Sequence, residues 1–213
     1  LPMKQEWRKS EKAFYLPKVK PEKVTVPALK FITIKGEGNP NDSKFAEYIA
    51  VLYSLSYAIK MTLKKTNKPP EGYQDYTVYP LEGIWDINEK AKENYNGHIN
   101  KDDLVFTLMI RQPDFLTESF YQEMLELTRR KKPHALLDKV NFESIEEGLC
   151  VQMLHVGSYD HEGETFSIME SYAQENDLIR LTKTHREIYL SDFRKVPEEK
   201  LKTVLRFQVK QKS

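Results

Sequence analysis

Apolar positions recur at helical spacing over three stretches of the sequence. Between about residues 43 and 65 they repeat every three or four residues, which predicts a long amphipathic helix that Asp42 or Ser43 can cap. The same spacing predicts a second helix at about 117–130 and a third near 165–175. Each predicted helix has one apolar face, so each must pack against another layer of the fold.

Runs rich in β-branched and aromatic residues lie between these helical stretches. Such runs, bounded by Gly, Pro, Asn and Asp, are typical of strands. They predict strands at residues 24–35, 76–85, 104–110 and 149–156, around Glu187, and at 203–210. Turn residues at 36–40 and 157–159 end two of these strands, and residues 86–100 are predicted to form a loop or an irregular hairpin.

The predicted elements follow the order strand-helix-strand-strand, and this order occurs twice. It predicts an α+β fold of duplicated β-α-β-β modules, with half 1 at about 24–138 and half 2 at about 139–213. A cleft between two such halves is a natural binding site. Residues 1–23 are predicted to form an extended arm, and Leu1-Pro2 ahead of Met3 is interpreted as an addition to the natural sequence.

Composition limits the partners and the compartment. Lys and Arg total 33 against 32 Asp and Glu, so no net charge favours a nucleic acid or a membrane as the partner. The chain has no membrane-spanning apolar run, and its N-terminal region, charged from Lys4, lacks a signal core. We therefore expect a soluble, cytoplasmic protein, in which the single Cys150 is a buried, inert thiol. The sequence assigns no oligomeric state.

Most motifs that carry catalytic or cofactor chemistry do not occur in the sequence. There is no Gly-x-Ser-x-Gly elbow, no dinucleotide-binding Gly-x-Gly-x-x-Gly and no Walker lysine after the glycines at 36–38. The five histidines lack the spacing of a helical zinc motif. In an alternative interpretation, His185 and Glu187 bind a metal ion together with His155 as a third ligand. The sequence therefore predicts neither a metal nor a cofactor.

The strand around Glu187 is the main candidate for function. Side chains alternate along a strand, so His185, Glu187 and Tyr189 are predicted to share one face, opposite Arg186 and Ile188. A glutamate on the solvent face of a strand is the ordinary alternative. If the strand that ends at Trp85 lines the same concavity, however, Glu187 faces an aromatic wall.

Aromatic residues are abundant, with 12 Tyr, 10 Phe and 2 Trp. Most of them must fill the core, because large rings are the main means of burying apolar area. Six fall on elements predicted to border the cleft: Tyr57, Tyr79, Trp85, Tyr159, Tyr189 and Phe207. Rings around one carboxylate suit a flat, hydrophobic ligand that is cationic or electrophilic.

Several stretches together resemble the GyrI-like small-molecule-binding family, which is related to the effector domains of multidrug-sensing transcription regulators. They are Gly36-Glu37-Gly38-Asn39-Pro40, Leu52-Tyr53-Ser54, Pro80-Leu81-Glu82-Gly83-Ile84-Trp85, Glu147-Gly148-Leu149-Cys150-Val151-Gln152, His155-Val156-Gly157-Ser158-Tyr159 and His185-Arg186-Glu187-Ile188-Tyr189-Leu190-Ser191-Asp192. The sequence departs from the family pattern at Ser158 and Phe193, where proline is frequent.

The resemblance implies a duplicated, SHS2-like module with a ligand cleft between its halves. In the regulator relatives, the glutamate that matches Glu187 faces bound cations. Stand-alone members that resemble this chain are associated with hydrolysis of cyclopropane-bearing, DNA-alkylating toxins inside an aromatic cage, which implies xenobiotic protection. The sequence shows no helix-turn-helix segment, so direct control of transcription is not expected.

The implied chemistry assigns roles to the candidate residues. We expect aromatic neighbours to desolvate Glu187 and raise its basicity, so that it orients or deprotonates the attacking water. Tyr189 or Tyr57 would position the water or the ligand carbonyl, while Trp85 and Tyr79 would stack on the flat ligand. Two other functions stay open: a multidrug-binding, sequestering or sensing protein without turnover, and an inhibitor that docks on another protein.

Overall fold

The computed structural model describes residues 3–213, so Leu1 and Pro2, interpreted above as an addition, lie outside the described residues. The helices are α1 Trp7–Ser10, α2 Lys12–Tyr15, α3 Ser43–Lys65, α4 Glu89–Glu93, α5 Glu118–Lys131 and α6 Glu162–Glu175. The strands are β1 Glu22–Glu37, β2 Leu81–Ile87, β3 Leu104–Gln112, β4 Asn141–Val156, β5 Leu178–Arg180, β6 His185–Tyr189 and β7 Lys202–Gln211.

The order of the elements confirms an α+β fold. The series β1-α3-β2-β3 and β4-α6-β6-β7 follow the predicted strand-helix-strand-strand order, and the short strand β5 is an addition to the second series. The periodic stretches that predicted α3 and α5 form those helices almost residue for residue, and Thr117 caps α5 by accepting a hydrogen bond from the Phe120 amide. The cleft between the two halves stays a prediction.

The N-terminal region differs from the predicted extended arm. Residues 7–15 form the two short helices α1 and α2, in which Trp7 and Tyr15 are buried with their ring centroids 5.2 Å apart. Two helical turns bring these rings together, and burying them offsets the cost of ordering a polar segment.

Strand boundaries also differ from the prediction. β2 begins at Leu81 rather than at residue 76, because Pro80 has no N–H for a ladder and Tyr76 forms only an isolated bridge with Gln5. β4 begins at Asn141 rather than at residue 149. The prediction missed its first half because that half is polar and shows no apolar run. The predicted loop at 86–100 contains the short helix α4, whose start Asn88 caps.

Gly36 lies inside β1 rather than in the predicted turn. It pairs with Phe106 of β3, and a Cβ on Gly36 would lie 2.6 Å from that ring and 2.8 Å from the ring of Tyr48. Only glycine therefore fits between the two rings. The turn begins two residues later at Gly38, whose φ of 113° strongly favours glycine.

The chain divides into two compact units. Unit 1 comprises the segment that ends at Glu6, Leu29–Leu81 and Asp86–Ile145. Within it β1 and β3 pair antiparallel, and α3 packs against β3 and α5. Its largest fully buried side chains include Ile32, Ile34, Leu52, Leu55, Ile59, Leu63, Tyr79, Leu108, Met109, Ile110 and Tyr121.

Unit 2 comprises Trp7–Ala28, Glu82–Trp85 and Glu146–Ser213. β4 and β6 pair with the same residues of β7, so they lie on its two edges, and β5 extends the pairing toward the C-terminus of β7. β6 also pairs with β2, where Gly83 lies opposite Glu187. α6 packs against β5 over a core of Val151, Met153, Met169, Ala173, Leu178, Leu205, Phe207 and Val209.

Candidate ligand site around Glu187

The alternation along β6 separates two sets of side chains, as predicted. His185, Glu187 and Tyr189 lie together: His185 Nε2 is 3.7 Å from Glu187 Oε1, and the Tyr189 hydroxyl is 3.0 Å from Glu187 Oε2. On the other face, Ile188 is fully buried and Arg186 enters a network of buried charges. The ordinary alternative, a glutamate on an open solvent face, is excluded because Glu187 is only 7% exposed.

The buried charge network fixes β6 in place within unit 2. Arg186 lies 2.9 Å from Glu82 of β2 and 2.8 Å from Glu147 of β4. Arg206 of β7 lies 2.9 Å from the other oxygen of Glu147 and donates a 2.7 Å hydrogen bond to the Phe14 carbonyl. Because the charged side chains of this network are at most 9% exposed, a shift of β6 would leave a charge unpaired at a cost of several kcal/mol.

A chain of hydrogen bonds fixes the carboxylate of Glu187. The Trp85 indole N–H donates to the Tyr189 hydroxyl at 2.8 Å, and that hydroxyl donates to Glu187 Oε2 at 3.0 Å. Tyr189 has one proton, so its donor capacity is used on Glu187. Trp85, Tyr189 and Glu187 therefore form one ordered set, with the indole on β2 and the other two side chains on β6.

Glu162, the first residue of α6, belongs to the site, although the sequence did not predict it there. The helix was predicted to start near residue 165, which placed Glu162 in a loop; an acid in the first turn of a helix was the only signal. Glu162 is only 7% exposed, and one of its oxygens lies within 4.8 Å of ligand atoms of His185 and Glu187. Burial, followed by the negative charge of Glu187, raises the pKa of Glu162 well above its ordinary value.

The pKa of Glu187 moves in the opposite direction to the prediction. Burial alone would raise it, but the neighbouring His185, Glu162 and Tyr189 side chains outweigh burial and lower the pKa. The expectation that aromatic neighbours raise the basicity of Glu187 is therefore wrong. Of the two adjacent carboxyl groups, Glu187 holds the charge and Glu162 holds the proton.

Several aromatic rings lie near the carboxylate of Glu187. The ring of Tyr159 meets that of Tyr189 edge-on with centroids 6.1 Å apart, and the ring of Phe166 lies 4.6 Å from the His185 ring. Burial and then the charge of Glu187 raise the pKa of Tyr159 to about 12 and that of Tyr189 well above its ordinary value. Both phenols are therefore neutral donors near neutral pH. Tyr159 is 38% exposed, so solvent reaches its ring.

His155 holds the turn that carries Tyr159 and Glu162. One nitrogen of this buried ring lies 2.7 Å from the Thr165 hydroxyl of α6, and the other lies 2.8 Å from the Ser158 carbonyl. These contacts attach the 157–159 turn to the first turn of α6. His155, a third metal ligand in the sequence alternative, uses both ring nitrogens in these contacts.

Three other predicted ligand contacts lie elsewhere in the fold. Phe207 belongs to the core of unit 2, with the Arg180 guanidinium 4.4 Å from its ring centroid. Tyr79 is buried in unit 1, where Arg111 lies 4.6 Å from its ring centroid, and Tyr57 is half exposed on α3 beside Tyr53. Roles for Tyr57 and Tyr79 in ligand binding stay predictions, and the ring of Phe207 packs as core.

Two further sequence expectations concern the single cysteine and a metal ion. Cys150 is a free, fully buried cysteine, and burial raises the pKa of its thiol to about 12, as expected for an inert residue. Among the described residues, Glu162, His185 and Glu187 could hold a metal ion, since each offers one ligand atom within 4.8 Å of the others.

None of the described helices is long and apolar enough to cross a membrane.

Comparison with known proteins shows the family. The model of the GyrI-like small molecule binding domain matches residues 20–210, so the chain is a small-molecule-binding protein by class. It belongs to the GyrI-like family, as its sequence motifs indicated. No curated protein is significantly similar to the chain.

Solved structures from Listeria innocua are similar over nearly the whole chain. A hydrolase from this organism is 37% identical, covers 97% of this chain and 100% of its own, and superposes with a TM-score of 0.86. A hydrolase encoded by lin2189 is 36% identical, with 98% and 100% coverage and a TM-score of 0.87. The C-terminal domain of EcmrR, at 13% identity and a TM-score of 0.51 over 90% of this chain and 98% of its own, shares the fold alone.

Proposed function

We propose that the chain binds a flat, hydrophobic, electrophilic small molecule beside Glu187 and adds water to it, opening the cyclopropane of a DNA-alkylating toxin. One observation carries the proposal: a charged carboxylate is buried among Trp85, Tyr159 and Tyr189 and is fixed by a hydrogen bond from one of them. A buried carboxylate that is ionised and oriented is suited to accept a proton from water.

The aromatic residues supply the binding surface in this proposal. The partly exposed Tyr159 marks the side from which a flat ligand would approach, and Trp85, which is only 8% exposed, would stack on the ligand after entry. A ligand with an electron-poor or cationic centre gains from electron-rich ring faces and from the negative charge of Glu187. Glu162 stays neutral beside Glu187, so the pair presents one negative charge rather than two.

The reaction adds one molecule of water to the ligand. The water oxygen attacks the cyclopropane methylene as Glu187 takes one water proton. The bond between that methylene and the spiro carbon breaks, and its electron pair enters the conjugated dienone. The ring becomes an aromatic phenolate, which then takes up a proton, so that the product is an alcohol and a phenol. Consumption of the strained ring removes the group that would alkylate DNA.

The relatives favour an enzyme over a passive binder. Two similar Listeria innocua structures are of proteins named hydrolases, and each is covered over its whole length by this chain. A general base contributes about a hundred- to ten-thousandfold to such a step, and positioning of the electrophile adds to it.

Replacement of the carboxylate tests the proposal. We expect Glu187→Gln, which keeps the shape of the side chain, to lower turnover of a cyclopropyl-dienone alkylator by about a hundredfold or more. Product formed in water labelled with heavy oxygen is measured by mass spectrometry. Glu164→Gln, an exposed position in the first turn of α6, is the matched control and should keep wild-type turnover. Full turnover by Glu187→Gln would show that Glu187 is not the base.

A binding protein without turnover is the second candidate, favoured by the family description, which names small-molecule binding and no reaction. The two functions differ in stoichiometry. An enzyme present well below the compound concentration converts all of it to the water adduct, whereas a sequestering protein retains one equivalent of intact compound.

A further inference from the structure

We propose that Glu162, His185 and Glu187 form a binding site for a divalent transition-metal ion such as Zn²⁺. One ligand atom from each residue lies within 4.8 Å of the other two, and His185 Nε2 is 3.7 Å from Glu187 Oε1. Two ligands of one tetrahedral zinc ion lie about 3.4 Å apart, given bond lengths near 2.1 Å. Small side-chain movements would therefore bring all three atoms into coordination distance.

A buried oxygen that accepts no hydrogen bond supports this site independently of the clustering. Glu162 Oε1 is inaccessible to solvent and accepts no hydrogen bond from an N–H or O–H group, while the hydrogen bond of this carboxyl group goes to Glu187; the whole residue is only 7% exposed. A buried oxygen of this kind is costly to leave unpaired, because it loses its bonds to water without replacement. Coordination of a cation by the Glu162 carboxylate would remove that cost.

The surrounding side chains orient the proposed ligands. Tyr189 donates to Glu187 Oε2, which leaves Oε1 on the side of His185, and Trp85 in turn donates to Tyr189. The His185 ring packs against Phe166 with centroids 4.6 Å apart, which restricts its rotation. Hydrogen bonds and packing that hold the ligands are a regular feature of metal sites in proteins.

The ligand set selects the class of ion. Two carboxylates and one imidazole suit Zn²⁺, Co²⁺ or Mn²⁺, whereas Mg²⁺ and Ca²⁺ prefer oxygen ligands alone. Binding would displace the proton that Glu162 holds, so that a divalent ion would balance two carboxylate charges inside a low-dielectric environment. Because the ion would bind Oε1 of Glu187 while Tyr189 donates to Oε2, neither oxygen would be free to accept a proton, and bound Zn²⁺ should inhibit the proposed hydrolysis.

Cobalt supplies a direct readout that needs no organic ligand. Chelator-treated protein is titrated with Co²⁺, and the visible absorption of the bound ion is recorded before Zn²⁺ is added to displace it. We expect one Co²⁺ per chain and complete displacement by Zn²⁺, with Mg²⁺ unable to compete at equal concentration. Absence of the cobalt band in the wild-type protein would overturn the proposal.

Variants separate this site from adventitious binding at surface groups. Glu162→Gln and His185→Gln should each weaken Co²⁺ binding at least tenfold, and Tyr189→Phe by about ten- to a hundredfold through the lost orientation of Glu187. Glu164→Gln should bind as the wild type does. A Glu162→Gln protein that melts as the wild type does and binds Co²⁺ with undiminished affinity would contradict the proposal. If Glu162→Gln fails to fold, the same result with His185→Gln would contradict it. Since binding is measured without substrate, its failure leaves the proposed hydrolysis untouched.

Discussion

At the scale of single residues, the hydroxyl of Tyr189 orients the carboxylate of Glu187. The sequence suggested that Tyr189 positions the water or the ligand carbonyl. In the structure its one proton is donated to Glu187 Oε2, and it accepts from the Trp85 indole. In the proposed reaction, Tyr189 would therefore act through the carboxylate it holds.

Tyr189→Phe tests this role. The change leaves the buried Trp85 N–H without its acceptor and Glu187 without a donor, so we expect the free energy of unfolding to fall by about 1–3 kcal/mol. Turnover of the alkylator should fall mainly in kcat, because the carboxylate loses its orientation while the ring surface remains. Urea unfolding and steady-state kinetics measure the two effects. The exposed Tyr95→Phe is the control and should change neither.

Sequence alone could indicate some residues of the site and not others. Alternation placed His185, Glu187 and Tyr189 together, because that rule depends only on the local strand. The pairing of Glu162 with Glu187 depends on where the first turn of α6 packs, and this pairing, together with His185 and Tyr189, lowers the pKa of Glu187 against the effect of burial. Contacts between distant elements are a property of the tertiary structure, which a local pattern does not carry.

At the scale of elements, Glu147 joins three strands of unit 2. It lies on β4 and contacts Arg186 of β6 and Arg206 of β7 through separate oxygens, at 2.8 and 2.9 Å. Burial would raise the pKa of Glu147, but the two guanidinium groups outweigh burial and lower the pKa below its ordinary value of 4.5. The charged carboxylate is thus part of what holds these strands together.

The contribution of Glu147 should depend on pH with a definite sign. A carboxyl whose pKa is lower in the folded state stabilises the fold above its unfolded pKa of about 4.5, and this stabilisation is lost as pH falls through the folded value. Glu147→Gln should therefore cost about 3 kcal/mol near neutral pH, because two buried arginines lose a charge partner. The difference from wild type should shrink below about pH 4.5. Urea unfolding over a pH series measures it.

The neighbouring Glu146 provides the control for this pH series. It is exposed, and Glu146→Gln should change the free energy of unfolding by less than about 0.5 kcal/mol across the range. A Glu147→Gln penalty that stays constant down to low pH would contradict the role given to the carboxylate charge.

The sequence predicted helices accurately where apolar residues recur at helical spacing over many residues. α3 and α5 have apolar faces that repeat over several turns, so their limits could be read from the sequence. β5 has three residues and no pattern of its own; it forms because β7 extends far enough to pair with it. Gly36 resembled a turn residue, yet it stays in β1 because two aromatic rings need the space of a missing side chain.

At the scale of the whole molecule, unit 2 is assembled from separated parts of the chain. Along with Glu146–Ser213 it includes Trp7–Ala28 and Glu82–Trp85. Trp7 and Tyr15 are buried, the Phe14 carbonyl accepts from Arg206, and Glu82 pairs with Arg186. The sequence predicted a second half at about 139–213 from the order of elements, and that order contains no information about these distant contributions.

A fragment of residues 139–213 should therefore fail to fold by itself. It lacks the β2 partner of β6, the buried rings of Trp7 and Tyr15, and Glu82, so Arg186 keeps only one of its two carboxylate partners in the network. Loss of one partner from a buried ion pair costs about 3–5 kcal/mol, which approaches the whole stability of a small domain. Circular dichroism should show no cooperative thermal transition for the fragment, and co-expression with residues 1–138 should restore it. A cooperative transition of the isolated fragment would show that its own core suffices, and that the N-terminal segment and Glu82 add stability without being required.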